Sequence, residues 1–377
     1  MPPVLQRLTI PALLFLLAAL FGCDQTAIPI GFTGSLTGSY SDLGVQGRNG
    51  ATLAIEEINA QGGIAGHPLR LVVRDDGNDP KTAKAVDREL IERGVVAIIG
   101  HMTSSQSVAA LPVVNDAEVV LLSPTTSTPR LSGKDDYFFR IQTSTAQAAR
   151  ALGRYARNQL DLQRINVIED TSNAAYTTPF LTNFQDTFCH SGQVVGQHCR
   201  FHSEMEQDWQ LLADCLLQTP SDGILLLTSA RDAASLLPIL RHKAPQRVIL
   251  SSGWATTRSL LTLGGASANQ VYAAERNFPA ERNTAYRHFV DAYRQRFGAF
   301  PSFAAVNGYD AVRVLARALT DTGGQRDGLR RALANIEKFP SLFGPLGFDA
   351  FGDALAPTHI FQVQNDSYAL LETVASP

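Results

Sequence analysis

Ser104 and Ser105 stand behind His101-Met102-Thr103, directly after the run Val95-Val96-Ala97-Ile98-Ile99-Gly100. The β-branched run bounded by glycine reads as a buried strand. Beyond it, Val108, Leu111 and Val114, or Ala109 and Val113, recur at helical spacing as far as Asn115. A strand, a tight turn and a helix start are therefore predicted, with two hydroxyls on the first turn. The first N–H groups of a helix lack intrahelical acceptors and carry a partial positive charge. At the carboxyl end of a strand, where open α/β sheets bind ligands, such a terminus suits a small anion such as a carboxylate. The other role open to Ser104 is to cap its own helix.

The elements that must hold this turn alternate regularly. Ile28 to Phe32 reads as a strand, followed by a loop with Gly34, Gly38 and Gly44 and a helix striped by Ala51, Ala54, Ile55 and Ile58. Leu69 to Val73 is a second strand running into Asp75-Asp76. Asp79 is placed to cap the next helix, with Pro80 at its first position and Gly94 past its end. After the turn and its helix comes a further strand, Val119 to Leu122, leading into Ser123-Pro124-Thr125-Thr126-Ser127-Thr128-Pro129. This βαβαβαβ series implies a parallel sheet with right-handed crossovers.

A second series begins after a tight crossing near Ile141-Gln142-Thr143. Ala148 to Gln159 and Phe180 to Phe188 read as helices; Ile165 to Ile168, Val194-Val195, Gly223 to Leu227 and Val248 to Leu250 read as strands. Helices at Ala285 to Phe297 and Tyr309 to Leu319, then paired short strands at Leu346 to Asp349 and His359 to Val363, complete the chain. The expected fold class is α/β with two doubly wound, Rossmann-like lobes.

Composition narrows the function. The chain has 377 residues, 45% hydrophobic and 18% charged, enough for two globular cores. Its net charge of −3 and the lack of any Lys/Arg run give a nucleic acid nothing to grip. Catalysis finds no support: the turn from Gly100 to Ser105 lacks the second glycine of a nucleophile elbow, and no Walker loop, dinucleotide fingerprint or His-Glu-x-x-His occurs. No cofactor is implied.

At the N-terminus, Arg7 precedes an apolar run from Leu8 to Phe21 that is short for a bilayer span, so residues 1–23 read as a signal peptide. Its ending, Leu20-Phe21-Gly22-Cys23, resembles the lipobox of bacterial lipoproteins, which implies lipidation at Cys23; Phe21 is larger than the residue usual there. Asp24 resembles the signal that retains such lipoproteins at the inner membrane. Outside the cytoplasm, Cys189 and Cys199 are expected to form a disulfide and Cys215 to be a buried thiol. His190, His198 and His202 flank the pair, but without a compact Cys-x-x-Cys spacing no metal site is expected there.

The chain resembles the type I periplasmic solute-binding proteins of the leucine/isoleucine/valine-binding kind, receptors of branched-chain and related amino-acid ABC transporters. The resemblance is carried by Leu36-Thr37-Gly38 with Gly44 and Gly50, and by Ile58-Asn59-Ala60-Gln61-Gly62-Gly63-Ile64-Ala65-Gly66. Asp75-Asp76, Ile98-Ile99-Gly100 with Ser104, Leu122-Ser123-Pro124 with Thr128-Pro129, Gly308-Tyr309-Asp310-Ala311 and Phe348 to Asp353 add to it. It implies two lobes joined by three crossings, lobe 1 from 24–143 and 277–343 and lobe 2 from 144–276 and 344–377. It also implies a monomer on the periplasmic face of the inner membrane that carries a small amino-acid-like solute to a permease. An occupancy sensor of the same fold is the alternative.

By the same resemblance, Ser104 and the Thr126-Ser127-Thr128 cluster hold the ligand's carboxylate, and Met102 and Thr103 are walls. In the second lobe Asp170 and Tyr176 match the family pattern, although Thr177 stands where glycine is expected. The loops that commonly supply an ammonium-neutralising acid read Leu227-Thr228-Ser229-Ala230-Arg231 and Ser251-Ser252-Gly253-Trp254-Ala255, without a carboxylate. Asp170, then Glu275, then Asp310 are the substitutes, and the gap opens the site to an aromatic or aliphatic acid, an amide or a urea derivative. Trp254 is either a stacking wall or core.

Overall fold

The computed structural model describes residues 26–38, 40–277 and 283–375. The leader and Cys23 lie outside them. Lobe 1 is built on the strands β1 (Ile28–Gly34), β2 (Leu69–Asp75), β3 (Ala97–Ile99), β4 (Val120–Ser123) and β5 (Phe138–Arg140), all parallel in the order β2-β1-β3-β4-β5. The apolar runs of β3 and β4 are buried throughout, as a strand covered on both faces must be. The helices between are α1 (Ser41–Ala60), α2 (Pro80–Glu92) and α3 (Ser104–Asp116). The Asp79 carboxylate accepts from the Lys81 and Thr82 N–H groups at the start of α2, as its spacing from Pro80 predicts.

Lobe 2 holds α4 (Thr145–Asn158), β6 (Arg164–Asp170), α5 (Ala174–Phe188), β7 (Val194–Phe201), α6 (Trp209–Leu217) and β8 (Gly223–Leu227). It continues with α7 (Ala230–Lys243), β9 (Val248–Ser252), α8 (Arg258–Gly264) and β10 (Val271–Glu275). The chain then returns to lobe 1 as α9 (Thr284–Phe297), α10 (Phe303–Asp321) and α11 (Leu329–Ala334). Helix α10 lies on α1 with almost no space between: a Cβ on Gly50 would stand 1.9 Å from the Ala305 carbonyl oxygen, and one on Gly308 2.3 Å from that of Gly47. Only glycine permits that approach.

The ending differs from expectation. A small antiparallel sheet of β11 (Phe339–Ser341), β12 (Gly344–Phe348) and β13 (Ala354–Leu355) packs on lobe 1, where Phe348 meets Phe139 edge to face at 5.5 Å and Asp353 pairs with the buried Arg140 at 2.8 Å. The third crossing thus falls at Ala356-Pro357 and not at 343/344, because Leu346, Phe348 and Ala354 bury their apolar groups in the lobe 1 core. The strands expected to pair, near Leu346 and near His359, belong to different sheets. The hairpin is instead β14 (Thr358–Gln364) with β15 (Ser367–Val374), antiparallel and added beside β10, in the order β15-β14-β10-β9-β8-β6-β7. Its turn residues Asn365 and Asp366 both have positive φ, which suits a two-residue hairpin turn.

The disulfide also differs. Cys199 is bonded to Cys215, with Cα atoms 6.3 Å apart, while Cys189 is an exposed free thiol. Cys189 follows the end of α5, whereas Cys199 lies five residues into β7, roughly 16 Å further along the strand. Helix α6 packs back against β7 and brings Cys215 alongside, so Cys215 is not a thiol. Among the described residues no group of three or more His, Cys, Asp and Glu is placed to hold a metal ion, and His198 pairs with Glu169 at 2.9 Å.

Candidate functional site

The carboxyl ends of the parallel strands in the two sheets face each other across a cleft. Lobe 1 contributes Leu43, Met102 and Ser104, then Thr125, Ser127 and Phe303; lobe 2 contributes Asn173, Tyr176, Trp254 and Glu275, and Gln142 comes from the first crossing. The cavity they enclose is tight, with about 20 Å³ open to the centre of a water molecule. It sits at the β1/β3 switch of lobe 1, the position at which doubly wound sheets accept ligands.

Ser104 is buried at the start of α3 but does not cap it. The N-cap position is Thr103, which makes no side-chain capping bond. The Ser104 hydroxyl instead accepts weakly from the Ser127 N–H at 3.4 Å, leaving its proton available. The Ser105 N–H donates across the cleft to Asn173 Oδ1 at 3.2 Å. One orphan amide of the helix is thereby satisfied by the opposite lobe.

The neighbouring hydroxyls divide. Ser127 lines the cavity, as does Thr125, whose hydroxyl donates to the Met102 carbonyl at 2.6 Å. Thr126, by contrast, points into lobe 1: its hydroxyl bonds that of Ser107 at 2.6 Å and lies 3.3 Å from the carbonyl oxygens of His101 and Thr103. Thr128 caps the short helical turn Pro129–Leu131, accepting from the Arg130 N–H, and its carbonyl accepts from Arg140 at 2.8 Å. Thr103 reaches Asn78 Oδ1 at 3.3 Å. These three therefore shape the turn from behind and do not face the cavity. Met102 does both: it lines the cavity and belongs to the lobe 1 core.

Beneath the turn lies a charge cluster that the sequence reading missed. His101 is fully buried, its Nδ1 2.7 Å from Asp76 and its Nε2 3.2 Å from Asp87. Burial alone would lower its pKa, but the Asp87 charge and the bond to Asp76 outweigh that and raise it to about 10. A charged imidazole between two carboxylates thus pins the loop that presents Ser104.

In lobe 2, Tyr176 and Trp254 form one wall, their rings 5.7 Å apart and close to perpendicular. Asp170 is not at the cavity. Its carboxylate accepts from Ser172 and from the Tyr40 hydroxyl of lobe 1, so the geometry leaves it no free face for a ligand. Asp310 is buried inside lobe 1, accepting from the Leu342 N–H at 2.8 Å and from Arg313 at 3.0 Å. The acid that does face the cavity is Glu275, at the end of β10. It stands against Gly253, where a Cβ would lie 2.1 Å from its Oε2, so a side chain at 253 would displace it. Burial raises the Glu275 pKa to about 7; the Arg276 N–H, 2.7 Å from Oε1, and the Gln142 amide pull the other way. The Arg276 guanidinium donates to Ser341 and not into the cavity.

Leu43, Thr125, Gln142, Asn173 and Phe303 had no signature of their own in the sequence. They come from five separate segments, three of them gathered by the fold of lobe 1 and joined to the others only where the lobes meet. The glycine beside Trp254 was the one local clue that something large stands opposite.

Comparison with known proteins agrees with this architecture. The Periplasmic binding protein family profile matches residues 27–367. An amino acid binding protein of Pseudomonas aeruginosa is 33% identical over 342 residues, 90% of each chain. The branched-chain amino acid transporter substrate binding protein LivJ of Streptococcus pneumoniae, solved in complex with isoleucine, superposes with a TM-score of 0.83 at 23% identity, over 93% of this chain and 100% of that one. A solute binding protein of an ABC transporter from Rhodopseudomonas palustris, in complex with 3,4-dihydroxy benzoic acid, gives 0.83 at 22% identity, over 93% and 99%. Such proteins are transport receptors and not enzymes. The chain belongs to the periplasmic binding protein family, among the Leu/Ile/Val-binding type I receptors of ABC transporters.

Proposed function

We propose that the cleft captures a small zwitterionic amino acid and that the protein, anchored through Cys23 on the periplasmic face of the inner membrane, delivers it to an ABC permease. One observation carries this reading: the cavity is polar at two places and with opposite sense. Ser104 and Ser127, at the positive end of α3, suit a carboxylate, and Glu275, which feels the Arg276 charge but forms no ion pair among the described residues, suits an ammonium. Leu43, Met102 and Trp254 offer an apolar surface between them. The named binding partners of the relatives support the class of solute, not its identity.

The test is calorimetry on the amino acids that stabilise the protein in a thermal-shift screen, for the wild type and for Glu275→Gln. An ammonium ligand requires Glu275 ionised, so its affinity should fall about tenfold for each pH unit below about 7. Glu275→Gln should bind such a ligand at least tenfold more weakly and lose that pH dependence.

A second reading, an aromatic acid, draws on the Tyr176 and Trp254 rings and on the ease with which Glu275 holds a proton. It predicts the opposite slope: an anion beside Glu275 binds more tightly as pH falls through about 7. A set of amino acids that leaves the melting curve unmoved, while benzoates raise it, would decide for this reading. For the anchor, Cys23→Ser should release the protein from the membrane fraction; retention would argue for an uncleaved apolar segment.

A further inference from the structure

Tyr40 belongs to lobe 1, just ahead of α1, yet only 3% of it is exposed and its ring is counted in the buried apolar cluster of lobe 2. It packs on Trp254 with ring centroids 5.3 Å apart, while Tyr176 meets the same indole at 5.7 Å. Its hydroxyl passes on to the end of β6, 2.5 Å from Asp170 Oδ2 and 2.7 Å from Ser203 Oγ, and also touches Ser172 Oγ. The acceptor is arranged in advance: Asp170 Oδ1 accepts from the Ser172 N–H and hydroxyl at 3.0 and 2.7 Å and from the Ser203 N–H at 3.2 Å. All of those partners belong to lobe 2, so the carboxylate is held in place whether or not the lobes meet. Two further bonds join the lobes nearby, Asn78 to Glu204 at 2.8 Å and Ser259 to Asp42 at 3.1 Å.

We infer that Tyr40 is a positioning residue of the receptor: it latches lobe 1 onto Asp170 and braces Trp254 as a wall of the ligand cavity. It does not itself line the small cavity and reaches it only through Trp254. Its action is on the closed population. A solute that requires closed lobes binds with an apparent dissociation constant equal to the intrinsic one divided by the closed fraction, so a latch that raises that fraction raises affinity without touching the solute. Asp170, which the family resemblance offered as a ligand contact, is thereby given a different task. The inference concerns closure and stands whichever solute fills the cavity.

The experiment uses the ligand-free mature protein in a Trp209→Phe background, which leaves Trp254 as the sole tryptophan reporter. Tyr40→Phe keeps the ring and removes the hydroxyl, and Asp170→Asn keeps the shape and removes the charge. Small-angle scattering should show the radius of gyration increase in both variants, and acrylamide should quench Trp254 more strongly, by about twofold if half the molecules open. The double variant should move no further than either single one, because each removes the same contact. Circular dichroism melting within a degree or two of the parent would show that the lobes themselves are intact. Equal radius of gyration and equal quenching in parent and variants would overturn the latch, and so would a parent already open in solution.

Discussion

Hydroxyls that look alike in the sequence have separable tasks. The Ser104 hydroxyl is free to donate to a carboxylate, and a hydrogen bond to a charged group contributes about 1.5 to 3 kcal/mol. Ser104→Ala should therefore weaken binding by about tenfold to a hundredfold while the melting temperature changes little, since Ser104 caps nothing. Thr126→Val should do the reverse. It strips partners from Ser107 and from two backbone carbonyls inside lobe 1, a loss of about 1 to 3 kcal/mol of stability. Calorimetry and melting curves on the two variants would separate the roles, and a joint loss of affinity without loss of stability would place Thr126 on the ligand after all. His101 sets a third case. His101→Gln leaves Asp76 and Asp87 as two buried carboxylates without their cation and should cost about 3 to 5 kcal/mol. In the wild type its pKa is raised from the usual 6.5 to about 10, so the stabilisation is fully present below about 6.5 and is lost as pH rises toward 10. Urea titrations at pH 6 and pH 9.5 should show that decline in the wild type and a weaker one in His101→Gln.

At the scale of elements, the disulfide ties β7, an edge strand of lobe 2, to the helix α6 that covers it. An edge strand is hydrogen-bonded on one side only, so a covalent tie to its covering helix limits fraying. Its two cysteines are 16 residues apart, and by the chain-entropy relation a loop of that size contributes about 3 kcal/mol. Cys215→Ser should lower the melting temperature of the oxidised protein accordingly, and reductant should lower the wild type to the same level. Alkylation without reductant, read by peptide mass, should label Cys189 and neither Cys199 nor Cys215. Label on Cys199 would contradict the pairing.

For the molecule as a whole, the cavity keeps an acid that the fold alone would be better without. The Glu275 pKa is raised from 4.5 to about 7, so the folded state holds its proton more tightly than the unfolded chain does. The neutral form carries no charge penalty at low pH; the penalty enters as pH rises past about 4.5 and is complete above about 7, where it is on the order of 3 kcal/mol. Glu275→Gln should consequently melt a few degrees higher than the wild type at pH 8 without ligand, and at nearly the same temperature at pH 4.5. Under the proposed function, that cost is recovered when the ligand's ammonium arrives between the lobes. A Glu275→Gln variant less stable than the wild type at pH 8 would show that the acid supports the fold and not the ligand.

What the sequence determined was local. The β-branched run before Gly100, the Asp79-Pro80 start with its Gly94 stop, and the apolar stripes mark strands and helices because side-chain periodicity and backbone preference act over a few residues. The order of those elements, with the family fingerprints, was enough for two doubly wound lobes, and it put Ser104 on a helix start at the carboxyl edge of a sheet. What the tertiary structure alone decided was every pairing of distant segments. Cys199 chose Cys215 over the nearer Cys189 because a strand carries its residues away in a straight line while a helix folds back over it. Leu346 and Phe348 took the third segment into lobe 1 because the apolar surface they needed was there, which no local pattern records. Thr126 and Ser127 face opposite ways, one bonded into the lobe and one lining the cavity, and an irregular loop offers no period from which to read that. Asp170 met Tyr40 from 130 positions away, and the acid that lines the cavity is instead Glu275, whose place beside Gly253 and Gln142 exists only once three strands and a crossing have come together.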